Sequence, residues 1–307
     1  TIAGSWIVPP PCFWRWMAVA MRNGSPTMRN GRQLRSGTPP PALELDAVFA
    51  RMRQLTPPHT PYAHKPLPFG FSADGRELRL DCDTARPMAH VLANPLGQGA
   101  IISNDGSIFS FACNAQQNGI STFSLDTLPA QAPGQMIYVQ DLDTGQADTP
   151  CYVPYRRRDA THHAVYGLGY AEFHKIVEGR EYLLEIFLPP DQPFEMRRLT
   201  IRNTTQCNAR LRVAYYTEIA LAELARDSIE HLETAQNPDL GALYFRNPRN
   251  DFYQGWAFAA TSLQAPVTET VRSRFVGGGG RDLRNPFMLN TGHCDTSQTD
   301  DGHRVAA

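Results

Sequence analysis

The chain is organised around residues 165–221, which read VYGLGYAEFHKIVEGREYLLEIFLPPDQPFEMRRLTIRNTTQCNARLRVAYYTEIAL. Four short apolar runs lie in this stretch. In the last run Leu211, Val213 and Tyr215 occupy alternate positions, and the side chains of a strand point to opposite faces in turn. Turn-forming residues separate the runs, at 178–179 (Glu-Gly), 189–191 (Pro-Pro-Asp) and 203–205 (Asn-Thr-Thr). The stretch predicts a meander of antiparallel strands that forms half of a sandwich.

Composition excludes several classes of function. The chain has 307 residues, a net charge of -1 and a pI of about 6.7, so it lacks the basic excess of many nucleic-acid-binding or membrane-surface proteins. The most apolar early run, residues 7–21, contains prolines and Arg15, whereas a membrane span needs about 20 apolar residues. Because the chain begins with Thr1 rather than methionine, we expect a fragment or a processed form.

The cysteines predict neither a zinc site nor a disulfide framework. Six cysteines are scattered along the chain and none forms a C-x-x-C pair. We expect reduced cysteines in a cytoplasmic protein. We also expect no cofactor and no bound metal.

The composition and the hydrophobic pattern of the sequence divide the chain into four segments. Residues 1–41 have the composition of a linker or a poorly ordered segment. Residues 42–68 contain a short helix, predicted over 43–55, and a Pro-rich linker. Residues 69–292 carry the predicted strands, and residues 293–307 form a polar tail.

A second helix is predicted over residues 217–232, TEIALAELARDSIEHL. Its apolar positions are Ile219, Leu221, Leu224 and Ile229, and strong helix formers fill most of the others. We expect this helix either to pack across a sheet or to face a partner domain.

Short motifs in the predicted strand region follow a consistent order. They are Arg86-Pro87-Met88, Asn94, and residues 99–103 (GAIIS), 114–126 (NAQQNGISTFSLD), 138–145 (YVQDLDTG), 167–170 (GLGY), 189–193 (PPDQP), 198–203 (RLTIRN), 237–242 (NPDLGA) and 275–286. Together they resemble the amino-terminal β-sandwich of glycoside hydrolase family 94, which holds cellobiose phosphorylase and its relatives and a corresponding region of cyclic β-1,2-glucan synthase. The resemblance implies an all-β fold, a large antiparallel β-supersandwich of the galactose mutarotase type with one or two short helices.

The resemblance also implies a reaction that uses inorganic phosphate with inversion of configuration, or a transfer of glucosyl units. One carboxylic acid would protonate the departing glycosidic oxygen while phosphate attacks the opposite face. In the family this acid and the phosphate pocket lie in an α/α barrel after the sandwich, and the residues after Pro286 leave no room for one. We therefore expect no catalytic residue here. The implied partners are the missing α/α-barrel catalytic domain of the same polypeptide and a β-glucan oligosaccharide; a homodimer is left open.

The sequence departs from the family pattern at several positions, and one of them is Tyr166, which stands in place of a histidine. Met88 stands in place of a tryptophan, and Gln116 and Gln117 replace an arginine and a glutamate. Phe123 and Leu125 replace a tryptophan and an asparagine. The sandwich core thus follows the family pattern better than its rim does.

Four polar residues of the predicted rim are candidate substrate-binding residues: Asn94, Asn114, Asn118 and Asp126. Planar amides and carboxylates form hydrogen bonds with sugar hydroxyls. The same residue types also cap turns through their own backbone, and the turn interpretation is favoured.

Other chemistry-bearing residues receive structural interpretations. Asp141 and Asp143 are expected to bond their own turn, and residues 162–163, both histidine, are expected in a solvated loop. The glycine run at 277–280 lacks the lysine of a phosphate-binding loop and is interpreted as a flexible connection. The aromatic residues predicted to lie in the core rather than on a sugar platform are Tyr215, Tyr216, Trp256 and Phe258.

Three functions follow from these observations. The first is the non-catalytic sandwich of a glucan phosphorylase or cyclic glucan synthase. The second is a stand-alone carbohydrate-binding module, which exposed aromatic residues on one sheet face would favour. The third is a self-contained enzyme of mutarotase-like fold, which needs a histidine and a carboxylate that converge in a cleft.

Overall fold

The computed structural model describes residues 46–47, 50–51, 69–84, 86–122, 134–223, 230–237, 239–263, 266–299 and, for the backbone alone, 305–306. The chain divides into two units, residues 1–65 and 66–307. In the first unit the described residues 46–47 and 50–51 are helical, as predicted for 43–55. The predicted linker over 1–41 lies outside the described residues.

The strands of the second unit are short and follow one another closely. In chain order they are β1 (Phe69–Phe71), β2 (Leu78–Leu80), β3 (Ala89–Ala93), β4 (Gln98–Ser103), β5 (Ile108–Ala112), β6 (Gly119–Ser121), β7 (Gln135–Asp141), β8 (Ala147–Asp148), β9 (Thr161–Gly167), β10 (Tyr170–Val177), β11 (Arg180–Phe187), β12 (Met196–Asn203), β13 (Leu211–Ala222), β14 (Glu233–Asn237), β15 (Ala242–Arg246), β16 (Ala257–Ala260) and β17 (Val305–Ala306). Two short helices with described bounds are α1 (Arg272–Val276) and α2 (Phe287–Thr291).

The strands form three antiparallel sheets. The first sheet has the order β1-β2-β9-β10-β11-β12, and the second has the order β3-β4-β5-β6-β13-β7-β8, with β17 paired to β13. A third, smaller sheet has the order β14-β15-β16. The prediction of an all-β antiparallel sandwich with one or two short helices is confirmed.

The meander predicted from residues 165–221 forms one side of the first sheet, from β9 to the edge strand β12, and continues into the second sheet with β13. Buried and partly exposed residues alternate along β10 and β11. Glu178 and Gly179 both have positive φ, and they join these two strands as predicted. The next strand, β12, pairs with β11 along eight residues, so the apolar alternation sets the register of the whole sheet.

The main core lies between the first and second sheets. Phe173, Leu184 and Ile186 contribute to it from the first sheet, and Ile102 and Val139 contribute from the second. Each of these side chains is at most 2% exposed. Met88, which replaces the family tryptophan, packs against this core and so keeps an apolar role there.

A second core covers the other face of the second sheet. Tyr138 and Tyr216 contribute from β7 and β13, and Phe275 contributes from α1. The Tyr138 hydroxyl donates a hydrogen bond of 2.7 Å to the carbonyl of Leu283. The described residues 271–299 therefore contribute to this core. Within the segment predicted to be a polar tail, β17 adds two residues of pairing to β13.

The helix predicted over 217–232 is wrong for its described residues. Residues 217–222 are the last six of strand β13, and residues 230–231 lie in a turn before β14. Ile219 and Leu221 pack in a third core with Phe245, while Ala220 and Ala222 are also buried. A strand with both faces buried loses the apolar–polar alternation, so local helix propensity was misleading.

Candidate functional site

Asn94, the first candidate residue, closes the turn after β3. Its side-chain oxygen accepts hydrogen bonds from the backbone N–H groups of Leu96 and Gln98, at 3.1 and 3.0 Å. Its amide nitrogen donates to the carbonyls of Pro189 and Gln192, at 2.8 and 2.7 Å. Asn94 thus attaches the loop before β12 to the end of the second sheet.

Asn114 and Asn118 lie in the next turn at the same end of that sheet. The Asn114 oxygen accepts the N–H groups of Gln116 and Gln117, at 2.8 and 3.0 Å. Asn118 is 2% exposed, and its amide donates to the Ala112 carbonyl at 3.1 Å. These contacts agree with the turn-capping interpretation, and a sugar contact at these residues stays a prediction.

A buried asparagine that the sequence did not single out completes this junction. Asn250 donates to the Asn118 oxygen and to the Leu221 carbonyl, both at 3.0 Å. Leu221, the penultimate residue of β13, has a positive φ of 49°. Asn250 therefore attaches the loop that follows β15 to the second sheet. Asp126, the fourth candidate, lies outside the described residues.

The buried carboxylates that the structure describes all have partners. Asp148 pairs with Lys175, Asp105 accepts the Ser107 N–H at 2.9 Å, and Asp141 pairs with Arg180. Asp141 also accepts the backbone N–H groups of its own turn, as predicted. Together, chiefly through the backbone N–H of residue 144, these contacts lower the pKa of Asp141, whereas a general acid needs a raised pKa.

Two further carboxylates also connect elements of the sandwich. Glu195 accepts a hydrogen bond from Ser110 at 2.6 Å and pairs with Arg197. Glu218 accepts the Tyr216 hydroxyl at 2.6 Å and the Arg272 Nε at 2.7 Å, which attaches α1 to β13. Both carboxylates thus have structural partners in the folded chain.

The two histidines predicted in a solvated loop instead lie within strand β9. His162 contacts the Arg157 carbonyl at 2.7 Å. His163 stacks on His174 with a centroid distance of 4.4 Å, and burial followed by the charge of His174 lowers the pKa of His163 to about 4. His174 in turn lies 2.7 Å from Glu172 on the face of the first sheet that points away from the core. This pair is partly exposed on a sheet face.

The smaller sheet carries aromatic side chains on its outer face. Trp256 is 49% exposed and Phe258 is 50% exposed, so the prediction that both lie in the core is wrong. Tyr216 is fully buried and Tyr215 packs against the main core, as predicted. Phe258 pairs across the sheet with Tyr244. We call Tyr244, Trp256 and Phe258 the aromatic platform.

The small residues of β16 explain why the rings point outward. Ala257 and Ala259 face the third core, where Leu243 and Phe245 of β15 already fill the space. The alternate positions of β16 then face solvent. The alternation of alanine with large aromatic residues is visible in the sequence, but the aromatic face rather than the alanine face was predicted to be buried.

The platform continues into neighbouring segments. Phe194, in the loop that Asn94 holds, makes a T-shaped contact with Phe258 at a centroid distance of 6.4 Å. Phe252 and Tyr253, in the loop that Asn250 holds, are 45% and 43% exposed. Asn94 thus positions a loop that brings Phe194 to the platform, and Asn250 positions a loop that carries two exposed aromatic side chains.

Among the described residues, no group of three or more histidine, cysteine or acidic side chains could hold a metal ion. The five cysteines for which the structure describes a state, residues 82, 113, 151, 207 and 294, are free. No helix in the described part is long and apolar enough to cross a membrane.

Known proteins resemble this chain over most of its length. A family model described as "Glycosyl hydrolase 94, supersandwich domain" matches residues 77–307. The chain is 28% identical over 243 residues to cyclic beta-(1,2)-glucan synthase NdvB of Rhizobium meliloti (strain 1021), a match that covers 78% of this chain and 8% of that protein.

Two phosphorylases are similar to a lesser extent. The N,N'-diacetylchitobiose phosphorylase of Vibrio proteolyticus is 23% identical, over 64% of this chain and 25% of the relative. The solabiose phosphorylase of Paenibacillus borealis is 24% identical, over 74% of this chain and 30% of the relative. The chain thus spans less than a third of the length of each of these relatives. With its sandwich architecture and the match over residues 77–307, this chain belongs to glycosyl hydrolase family 94, in the part described by that family's supersandwich domain.

Proposed function

We propose that this chain is the non-catalytic sandwich of a glucan phosphorylase or a cyclic β-1,2-glucan synthase. It holds an α/α-barrel catalytic domain of the same polypeptide in place and contacts the β-glucan substrate. The observation that carries this proposal is the match to the supersandwich domain of family 94 over 77–307. The relatives extend far beyond the matched part, which leaves room in them for a separate catalytic domain.

The carboxylates of the described part support a non-catalytic role. Inverting transfer needs a carboxylic acid that is held protonated and free to reach the glycosidic oxygen. Glu195 and Glu218 instead form ion pairs with Arg197 and Arg272. Both carboxylates are therefore engaged in contacts that join elements of the sandwich.

Phosphorolysis by the purified chain tests this role. The chain is incubated with β-1,2- and β-1,4-gluco-oligosaccharides and inorganic phosphate, and release of any sugar 1-phosphate is measured by mass spectrometry. The N,N'-diacetylchitobiose phosphorylase of Vibrio proteolyticus with its own substrate is the positive control. We expect no turnover by this chain. Turnover that Glu195→Gln or Glu218→Gln abolishes would overturn the proposal.

An exposed apolar edge supports docking of a catalytic domain. Phe71, Val91 and Leu168 are 69%, 59% and 82% exposed. Strand β1, which carries Phe71, is the edge strand of the first sheet and pairs with β2, which pairs with β9 in turn. Leu168 follows β9 directly. His90, next to Val91, contacts the Gly167 carbonyl at 3.0 Å, which brings the second sheet to the same edge. We assign this edge to the α/α barrel, since exposed apolar patches mark interaction sites.

Light scattering across a range of protein concentrations tests the docking edge. Without its barrel, the chain is expected to self-associate weakly, and Phe71→Ser with Leu168→Ser should reduce this association. A monomer at all concentrations would contradict the assignment. A dimer of fixed stoichiometry would assign the edge to a second copy of the chain instead.

A second candidate function is a stand-alone carbohydrate-binding module. The exposed aromatic platform is the observation that favours it. Both functions predict glucan binding, but only the first predicts a barrel-docking edge. The light-scattering experiment therefore discriminates between them.

A further inference from the structure

We propose that the outer face of the β14–β15–β16 sheet is a binding site for a neutral β-linked glucan chain, which stacks on the aromatic platform. This inference rests on the proposed glucan contact and names where that contact is made. The rim asparagines remain candidates for hydrogen bonds to the sugar. Stacking is assigned to the platform, of which Trp256 and Phe258 were predicted to lie in the core.

The strand register and the contact of Trp256 with Arg246 place the three rings as a strip on one face. Trp256 directly precedes β16 and is two positions before Phe258, a spacing of about 6.7 Å in extended chain. Tyr244 is the cross-strand partner of Phe258, and such partners have Cβ atoms about 5 Å apart. A strip of this kind gives a sugar chain successive apolar faces on which to stack, as binding sites lined by aromatic side chains commonly do.

Arg246 and Glu233 hold the strip in place. The Arg246 guanidinium lies 4.9 Å from the centroid of the Trp256 ring, and its Nε donates to Glu233 at 3.0 Å. Half of Trp256 remains exposed despite this contact. A ring fixed on one side and open on the other loses little conformational entropy when a ligand stacks on it.

Small residues keep the surface around the strip level. Ala235 pairs with Tyr244, and Ala260 is two positions after Phe258; both alanines are exposed on the same face. Gly255, just before Trp256, allows the Tyr253 ring to lie against its backbone, where a Cβ atom would overlap the ring. The surface is therefore flat enough for an extended chain rather than shaped as a deep pocket.

The charge of the site favours a neutral ligand. Arg246 is the cation on the platform and is paired with Glu233, both partly exposed. The pair leaves no net charge to attract a phosphate or a nucleic acid. Its remaining hydrogen-bonding capacity suits sugar hydroxyls beside the rings.

Calorimetric titration of the 307-residue chain with β-1,2- and β-1,4-gluco-oligosaccharides tests the site. We expect saturable binding that Trp256→Ala and Phe258→Ala each weaken by about tenfold, since one lost stacking contact is worth about 1.4 kcal/mol. Trp256→Phe should retain most of the affinity. Ile176→Ala is the control, because Ile176 is 53% exposed on the first sheet, away from the platform.

The outcomes separate this inference from the proposed function. Binding that survives both alanine variants would overturn the platform and leave a glucan contact elsewhere, to be sought at Asn94 and Asn114. An absence of binding by the unmodified chain would overturn the platform and the glucan contact together, while the barrel-holding role is decided by light scattering. Thermal unfolding of each variant establishes that a lost signal is not lost folding. Affinity should change little between about 0.1 and 1 M salt, and a steep loss would contradict a neutral ligand.

Discussion

The buried ion pair of Lys175 and Asp148 allows a sharp test of the sandwich's energetics. The Lys175 side chain is 0% exposed, on the core side of β10, and it bonds Asp148 and the Thr149 carbonyl at 2.9 Å. Asp148 has a second cation, because Arg157 lies 3.8 Å from its other oxygen. The two partners are therefore not equivalent. Substitution of Asp148 leaves a buried lysine without a carboxylate, whereas substitution of Lys175 leaves a carboxylate that still has an arginine nearby.

Replacing Asp148 with asparagine removes the charge that compensates Lys175. The lysine can then lose its proton, and from an ordinary pKa of 10.5 this costs at most about 4.8 kcal/mol at pH 7 (about 1.36 kcal/mol per pH unit). The range for breaking a buried pair is about 3–5 kcal/mol. We therefore expect Asp148→Asn to lower the free energy of unfolding by about 3–5 kcal/mol.

Replacing Lys175 with methionine leaves Asp148 beside Arg157. Methionine has a similar volume and needs no partner, so we expect a smaller loss of about 1–3 kcal/mol. The double variant should be closer to Lys175→Met than to the sum of both losses, since the cost of the asparagine arises from the lysine.

Urea unfolding between pH 6 and pH 9 measures both effects. Burial lowers the pKa of Lys175 in the folded chain, so the unfolded chain binds more protons as pH approaches 10.5, and stability rises with pH. This slope should be steeper in Asp148→Asn and absent in Lys175→Met. A larger loss in Lys175→Met than in Asp148→Asn, or additive losses in the double variant, would refute the reasoning.

Two further predictions concern the turn glycines and the stacked histidines. Gly106 has a φ of 97°, and a Cβ atom there would overlap Cys151, so Gly106→Ala should lower the free energy of unfolding in urea by about 2–4 kcal/mol. Gly145 has a φ of 75° in open space, so Gly145→Ala should lower it by only about 1 kcal/mol. Equal losses in the two variants would count against the clash with Cys151. His163 has a pKa of about 4 against 6.5 in an ordinary histidine, so the unfolded chain binds more protons between those values and stability should fall as pH drops through that window. His163→Gln should flatten this part of the melting-temperature profile, and an unchanged profile would show that the stack on His174 contributes nothing.

Much of the architecture followed from short-range patterns. The alternation at Leu211, Val213 and Tyr215 and the turn at Glu178 and Gly179 predicted strands and a hairpin that the structure contains. These features depend on neighbouring residues alone, because side chains alternate between faces and a turn needs residues that accept positive φ.

Two errors arose because the sequence pattern does not show which faces of a strand are covered. At Ile219 and Leu221 the strand β13 is buried on both sides, and the sequence there matches a helix as well as a strand. At Trp256 and Phe258 the alternation of the sequence predicts a strand but does not show which of its faces is buried. The alanine face is the buried one because Leu243 of a neighbouring strand fills the third core. A period of two identifies two faces without stating which one is covered.

For the candidate residues, too, the local contacts were predictable from the sequence and the long-range contacts were not. An asparagine side chain can contact a sugar or cap a turn, and the turn interpretation was favoured for Asn94, Asn114 and Asn118. The structure contains the corresponding local hydrogen bonds. The loops that these residues hold, and the ring of Phe194 that meets Phe258, come together only through contacts between residues far apart in the chain.

The sequence by itself determined the class of fold, the family and most of the strand pairing around residues 165–221, because periodicity, turns and ordered motifs are local properties. The tertiary structure alone decided which carboxylates are neutralised, as in the pairs of Asp148 with Lys175 and Glu195 with Arg197. It also decided that Trp256 and Phe258 face solvent. The physical reason is that burial and electrostatic pairing depend on what packs against a side chain, and sheets packed from distant segments supply those neighbours only after folding.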